Sequence, residues 1–283
     1  MDTVVSVRSD IRCTEEIKNQ ITALSEIFDC FSPGSEISEL NRVKDMECSD
    51  ELTGFVKDIL SLNDEYGFGV DISAGNLSML WKQSTENGTL PDEKKISEYM
   101  QYAGQKNISV SDNRISLNNG TSIDPGAAAK GYVLDCIFPY VSSLDTDHTI
   151  VSTGSSTLLW SRDSSHIFSV AVKSGADSTA GTVTTGPCFV STSGDYERFT
   201  EINGKKYHHI IDMKTGFPAD NGLSSVTVFC DSGIMSDFLS TLIFTEGKDN
   251  LDKYLDSGRF GVIAIDKQGN IFRSASLIFS ESE

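Results

Sequence analysis

The chain contains no apolar run long enough to span a bilayer as a helix. It also lacks paired cysteines of the metal or redox type. Cys13, Cys30, Cys48, Cys136, Cys188 and Cys230 include no C-x-x-C spacing, so neither a zinc cluster nor a thioredoxin-like motif is signalled. Thiols scattered in this way are expected to be buried and reduced, as in a cytosolic protein. The opening "MDTVVSVRSD" has no basic n-region and no apolar h-region, which predicts a cytoplasmic protein for the chain as given. A leader left out of this sequence would instead place it outside the cytoplasm. No G-x-G-x-x-G and no Walker loop is present, which excludes the usual dinucleotide and P-loop frames. Positive charge is scarce: 23 Lys and Arg face 41 Asp and Glu, for a net charge of -18. Such a chain repels nucleic acid and anionic membrane surfaces. A phosphate ligand would need local help from a lysine, helix N-termini or a metal ion.

What is present is enough for a substantial core: 283 residues, 38% of them hydrophobic, with no internal repeat and no low-complexity linker. "TEEIKNQITALSEIFDCF" has helical spacing, with Thr14 as a candidate N-cap. "SPGSEISELNR" turns at Pro33-Gly34 and opens a short helix at Ser35. "SDELTGFVKDILSLNDEYG" is a second amphipathic helix, stopped by Gly67, and "PDEKKISEYMQYAG" a third. "NISVSDNRISLNNGTSID" predicts a hairpin around Asp112-Asn113. After the helical "DPGAAAKGYVLDCIFPYV" the pattern turns to short strands. "SGIMSDFLSTLIFTEG" returns to helix, and "FGVIAID" with "NIFRSAS" closes as a terminal hairpin. Strands and helices in blocks predict an α+β fold with mixed or antiparallel sheets and packed helices.

Three constellations carry chemical interest. In "IDPGAAAKGY", Asp124 at the N-cap and Pro125 at N1 would start a helix whose bare first turn could face a phosphate, with Lys130 adding charge. The same residues suit a plain capped helix packed on a sheet. In "SGIMSDFLSTLIF", Asp237 and Thr241 lie four apart and share one helix face, a donor pair for a hard cation such as Mg2+. The plain alternative is a solvated polar face. In "KKYHHIIDMKTGFPADNG", His208 and His209 would point to opposite faces of a strand, and Gly216 and Pro218 shape a turn. Thr192, Ser193 and Asp195 of "STSGDYERF" form no nucleophile-elbow pattern, so a Ser-His-Asp triad has no support.

Taken in order, these segments resemble the ApbE family of FAD:protein FMN transferases, over nearly the whole chain. "FSPGSEISELNR", "VDISAGNLSMLWK", "IDPGAAAKGYVLD", "STSGDYERF", "HHIIDMKTGFP" and "SDFLSTLIF" are each similar to a signature of that family. The resemblance implies a T-fold-like architecture and a single domain over residues 1–283, in two lobes with the FAD site between them. It implies Mg2+ held by Asp237, Thr241 and the carbonyl of Ala127. FAD, the substrate, would lie against Met1, Phe31, Asn41, Gly69, Val70, Asp71, Asp124, Lys130 and Ile211. His209 would be the catalytic histidine, and the partner an acceptor protein with a Ser or Thr flavinylation site. Departures from the family pattern fall at Met213, where proline is usual, at Gly154-Ser155, where Gly-Gly is usual, and at Phe238 and Ser240, where alanines are common; some members carry a second carboxylate just before the motif threonine, which Ser240 does not provide. An FAD pyrophosphatase and a non-enzymatic FAD carrier are the competing readings.

Overall fold

In the computed structural model, which describes residues 4–67 and 69–282, helices and antiparallel strands come in blocks, as the hydrophobic pattern predicts. The chain runs β1 (Val5–Ser9), α1 (Thr14–Phe28), α2 (Glu36–Val43), β2 (Asp45–Glu47), α3 (Asp50–Tyr66), α4 (Gly75–Glu86) and α5 (Glu93–Tyr102). It continues through β3 (Ile108–Ser111), β4 (Arg114–Leu117), α6 (Ala129–Ser143), β5 (His148–Thr153), β6 (Ser156–Ser161), β7 (Phe168–Lys173) and β8 (Thr179–Thr185). Then follow β9 (Cys188–Gly194), β10 (Phe199–Ile202), β11 (Lys205–His208), β12 (Ile211–Asp212), β13 (Phe217–Pro218) and β14 (Leu223–Cys230). The last elements are α7 (Gly233–Glu246), α8 (Asp252–Leu255), β15 (Gly261–Asp266), β16 (Ile271–Arg273) and β17 (Ile278–Glu281).

These elements fall into two compact units. The first comprises Ala23–Ala127 and Arg198–Ala219; the second comprises Ala128–Glu197 with the described parts of Asp2–Thr22 and Asp220–Glu283.

The second unit is built on an antiparallel sheet in the order β1-β5-β6-β9-β14-β15-β16. Its two faces are covered differently. On one, Leu159, Val190, Phe229, Ile263 and Ile265 pack with Phe168, Val172 and Val183 of the small sheet β17-β8-β7. The period of two sends their neighbours to the opposite face. There Ser191 and Ser193 meet hydroxyls of α7, and Phe189 meets Phe138 of α6 edge-on at 5.8 Å. Covered on both sides, β14 and β15 are buried almost throughout, which explains their unbroken apolar runs.

Asp266, at the end of β15, holds the turn into β16. Its carboxylate accepts from Lys248 Nζ at 2.7 Å, from Asn270 Nδ2 at 2.9 Å and from the N–H groups of Gln268 and Asn270. Burial works to raise its pKa, but the Lys248 and Asn270 bonds outweigh burial and hold the carboxyl well below the ordinary range. A depressed folded pKa contributes stability above the unfolded value of about 3.9, lost as pH falls through and below it. Asp266→Asn is therefore expected to lower Tm at pH 7, with the gap to wild type closing below about pH 4. Melting curves across pH check this, and equal Tm values at pH 7 would refute it.

In the first unit, Ser35 caps α2 by accepting from the Ser38 N–H at 3.2 Å, and Gly67 ends α3 at φ 92°. β3 and β4 form the expected hairpin, with Asp112 at φ 52° in its two-residue loop. A cluster of Leu77, Trp81 and Ile96 takes in Tyr207, Ile211, Met213 and Phe217, so the β11–β13 segment packs on α4 and α5. Met213 is part of this cluster.

Two expectations change, on Thr14 and on the cysteines, and some elements are additions. Thr14 is the first helical residue of α1, not its cap: the Cys13 carbonyl accepts the Ile17 N–H at 3.1 Å. The helix α4 carries little periodicity, because Ala74 offers no capping side chain and only Leu77 and Trp81 are buried. It is started instead by backbone, the Gly75 N–H donating to the Ser122 carbonyl at 2.9 Å. The strands β6, β8 and β17 are additions to the expected elements, and the β15–β16 hairpin is followed by β17, which pairs with β8. None of the six cysteines forms a disulfide, but only Cys13, Cys48 and Cys230 are buried; the other three are half-buried.

Candidate active site

Helices α6 and α7 of the second unit cross at two glycines. A Cβ on Gly131 would collide with the Gly233 carbonyl oxygen, and one on Gly233 with that of Gly131. This contact brings each helix start within reach of a carboxylate on the other. Asp237 Oδ2 accepts the Gly131 N–H at 3.0 Å. Asp135 accepts the Gly233 and Ile234 N–H groups, both at 2.7 Å.

The Asp237 side chain is only 2% exposed, so the solvated polar face is excluded. A buried carboxylate requires partners. Lys130 Nζ lies 3.5 Å from Oδ2, the same oxygen that Gly131 serves. Among the described residues no donor reaches Oδ1. One helical turn on is half-buried Thr241, whose Oγ1 is 3.1 Å from Ser193 Oγ. Ser193 also meets Ser240 at 2.9 Å, and Ser191 meets Ser236 at 2.8 Å, so a ladder of hydroxyls ties α7 to β9. Ser240 is spent on this ladder and on the Asp237 carbonyl.

The donor set is all oxygen. Among the described residues there is no group of three His, Cys, Asp or Glu side chains that could cage a metal. A cation at Asp237 and Thr241 would complete its shell from carbonyl, water and ligand oxygens, which suits Mg2+ and not a thiolate or imidazole metal. A buried carboxylate with one oxygen unserved fits that ion.

Asp124 and Pro125 do not open α6. The helix starts at Ala129, with Ala128 in the cap position and no side-chain cap. Asp124 is held extended by its N–H bond to the Ile72 carbonyl at 2.8 Å, and its Oδ1 accepts the Gly126 N–H at 2.8 Å. That Asx turn bends the chain before the helix can begin. Lys130 becomes the second helical residue, and Ala127 lies in the turn ahead of it.

The first unit gathers several of the other expected residues around this segment. The Asn41 side chain grips Ile123, donating to its carbonyl at 2.8 Å and accepting its N–H at 2.6 Å. Ala74 and Ser122 form a parallel bridge beside it. Asp71 accepts the Ser73 N–H at 2.8 Å; burial pushes its carboxyl up, against those Ser73 bonds. Val70 is buried, and its carbonyl accepts Asn63 Nδ2 at 2.8 Å; Gly69 precedes it. Cys30 Sγ donates to Asp124 Oδ1 at 3.6 Å, its thiol pushed far up by burial and then by the Asp124 carboxylate. Phe31 beside it is 40% exposed, with Lys82 Nζ 4.2 Å from the ring centroid. Met1 lies outside the described residues.

The two adjacent histidines differ in what their ring nitrogens do. His208 Nδ1 accepts the Ile210 N–H at 3.2 Å and Nε2 meets the Ala219 carbonyl at 2.8 Å. An N–H only donates and a carbonyl only accepts, so His208 is the neutral Nε2–H tautomer with both nitrogens engaged. His209 is exposed, and its Nδ1 meets the Arg198 carbonyl at 3.2 Å. By the same logic Nδ1 carries the proton and the neutral ring has its lone pair on Nε2. Ile211 pairs with Pro218, and its side chain joins the Trp81 cluster. Gly216 holds the turn at φ 76° while its carbonyl accepts Trp81 Nε1 at 2.8 Å.

Gly131, Gly233 and Asp135, which form this crossing, are given no role by the motifs. A textual signal exists: "GYVLD" and "GIMSD" both read Gly-x-x-x-Asp at a helix start.

The chain belongs to the ApbE family, whose profile matches residues 1–265. It is similar to the ApbE protein of Thermotoga maritima, at 28% identity and a TM-score of 0.86 over 97% of this chain and 93% of that one. It also matches the flavin transferase ApbE of Vibrio cholerae, at 21% identity and a TM-score of 0.81 over 98% and 95% of the two chains. Among curated relatives, the FAD:protein FMN transferase of Klebsiella pneumoniae is 28% identical over 62% of this chain and 56% of its own length. That of Vibrio cholerae is 25% identical over 93% of this chain and 79% of its own. The α+β architecture is therefore that of ApbE proteins.

Proposed function

We propose that this chain is a cation-dependent FAD:protein FMN transferase, which moves FMN from FAD to a Ser or Thr hydroxyl of an acceptor protein and releases AMP. The observation that carries this reading is the buried Asp237 carboxylate, one oxygen held by Gly131 and Lys130 and the other unserved, one turn from Thr241. The names of the curated relatives support the same activity.

Asp237, Thr241 and the Ala127 carbonyl would hold Mg2+. When bound, the cation neutralises charge that develops on the pyrophosphate as the phosphorus is attacked. Lys130 adds a second positive charge beside the carboxylate, which reconciles an acidic chain with an anionic substrate. The His209 Nε2 lone pair takes the proton of the acceptor hydroxyl as its oxygen bonds to the FMN phosphorus. The bond from that phosphorus to the bridging oxygen breaks, and AMP leaves with the electron pair. Exposed Phe31 offers a stacking face for FAD, and the Asn41 amide holds the Asp124 segment in place. The reading treats 1–283 as one functional domain. Among the described residues no helix is long and apolar enough to cross a membrane.

The test incubates the protein with FAD, Mg2+ and an acceptor domain carrying a Ser/Thr flavinylation site. A covalent FMN mass increase on the acceptor with equimolar AMP is expected. FMN and AMP without adduct would make it a pyrophosphatase, and unchanged FAD a carrier; either result overturns the proposal. His209→Ala is expected to bind FAD as wild type does and to transfer about a hundredfold more slowly. An unchanged rate would remove His209 from the chemistry.

A further inference from the structure

The α6–α7 crossing is nearly symmetric in its parts. Each helix contributes a glycine at the contact and an aspartate four residues later, Gly131 with Asp135 and Gly233 with Asp237. Each aspartate accepts N–H groups from the start of the other helix. The symmetry breaks in how fully each carboxylate is used. Asp135 uses both oxygens: Oδ1 takes the Gly233 N–H, and Oδ2 takes the Ile234 N–H and, at 3.3 Å, the Ser232 hydroxyl. Ser232 in turn accepts the Met235 N–H at 3.3 Å, so the first turn of α7 is completely bonded. Asp237 spends only Oδ2 in this way.

We infer that Asp135 is the positioning residue of the Asp237 site: by gripping the first turn of α7 with both oxygens, it sets the helix so that Asp237 can cap α6 with one oxygen and present the other. The inference rests on reading Asp237 as a cation ligand. The glycine contact fixes how closely the helices approach, but it leaves α7 able to slide or turn on α6. Two charge-assisted bonds from one carboxylate to consecutive N–H groups remove that freedom. The first turn of α7 ends one residue before Asp237, so a shift there is passed directly to the carboxylate.

The test measures Mn2+ binding to the full chain without FAD, by the electron paramagnetic resonance signal of free Mn2+. Asp135→Asn replaces one acceptor oxygen with an amide NH2 that faces an N–H donor. Its Mn2+ dissociation constant is expected to rise about tenfold or more, as for other partners that orient a metal ligand. FAD affinity measured without metal should stay at the wild-type value. In turnover the apparent KM for metal should rise more than kcat falls, which a general loss of stability would not produce. Wild-type Mn2+ affinity in folded Asp135→Asn overturns the inference. If that variant does not fold, Ser232→Ala decides, because it removes one bond to Asp135 and the Met235 cap: about threefold weaker binding is expected, and unchanged binding overturns the inference. Failure of the underlying reading looks different, since Asp237→Ala would then bind Mn2+ as tightly as wild type.

Discussion

Asp237→Asn is expected to fold normally and to lose about a thousandfold in metal-dependent FMN transfer. The amide oxygen can still accept the Gly131 N–H, so the start of α6 keeps its bond. What disappears is the negative charge, and a neutral amide is a poor substitute for a carboxylate toward a hard divalent cation. Asp237→Ala removes charge and acceptor together. It should show the same loss of transfer with an added stability cost of about 1–3 kcal/mol, because the buried Gly131 N–H is left unpaired. The comparison separates two roles of one side chain. Rates measured against Mg2+ concentration, beside melting curves for both variants, check it. Transfer by folded Asp237→Asn within threefold of wild type would remove the cation from the Asp237 site.

The block order of helices and strands is legible in the sequence because burial leaves period and punctuation in the text. Ser35, Gly67, Gly216 and Asp112-Asn113 act through local backbone chemistry, and local chemistry is legible. What is not legible was decided at long range. Asp124 looks like a helix cap, but its N–H is claimed by Ile72, and the helix starts five residues later. Gly75 starts α4 through a bond to Ser122, which no window around residue 75 contains. The strand β8 is hidden by Gly181, which is needed because a Cβ there would collide with the Ser280 carbonyl of β17. The candidate site divides along the same line. Spacing alone puts Asp237 and Thr241 on one helix face, and the fold keeps them there. Whether that face meets solvent or protein depends on β9 and α6, and no local pattern reports either. The choice of His209 over His208 comes from family resemblance. In the fold, His208 has both ring nitrogens engaged with backbone, and the His209 Nδ1 meets the Arg198 carbonyl.

Gly131→Ala is expected to cost about 3 kcal/mol or more, one of the largest effects a single methyl can have in this chain. Helix propensity argues the other way, because alanine is favoured over glycine inside a helix by about 1 kcal/mol. Sterics win here. The new Cβ would collide with the Gly233 carbonyl oxygen, stand 2.6 Å from its carbonyl carbon and lie 2.8 Å from the Asp237 Cβ. Backbone and a helical Cβ cannot swing aside as the end of a flexible side chain can, so α7 must move away from α6. For a chain of this size the loss corresponds to a fall in Tm of about 6–12 °C. Gly186→Ala is the control: its Cβ would lie 3.8 Å from the Ser164 carbonyl oxygen, an ordinary contact, and its Tm should stay near wild type. Gly233→Ala should match Gly131→Ala, and the double variant should cost much less than the sum, because both methyls open the same contact. Each variant should also lose transfer activity at temperatures where it is still folded, since Asp237 moves with α7. Gly131→Ala as stable as Gly186→Ala would show that the crossing tolerates a wider spacing, and the close approach would then not be what holds Asp237 against Gly131.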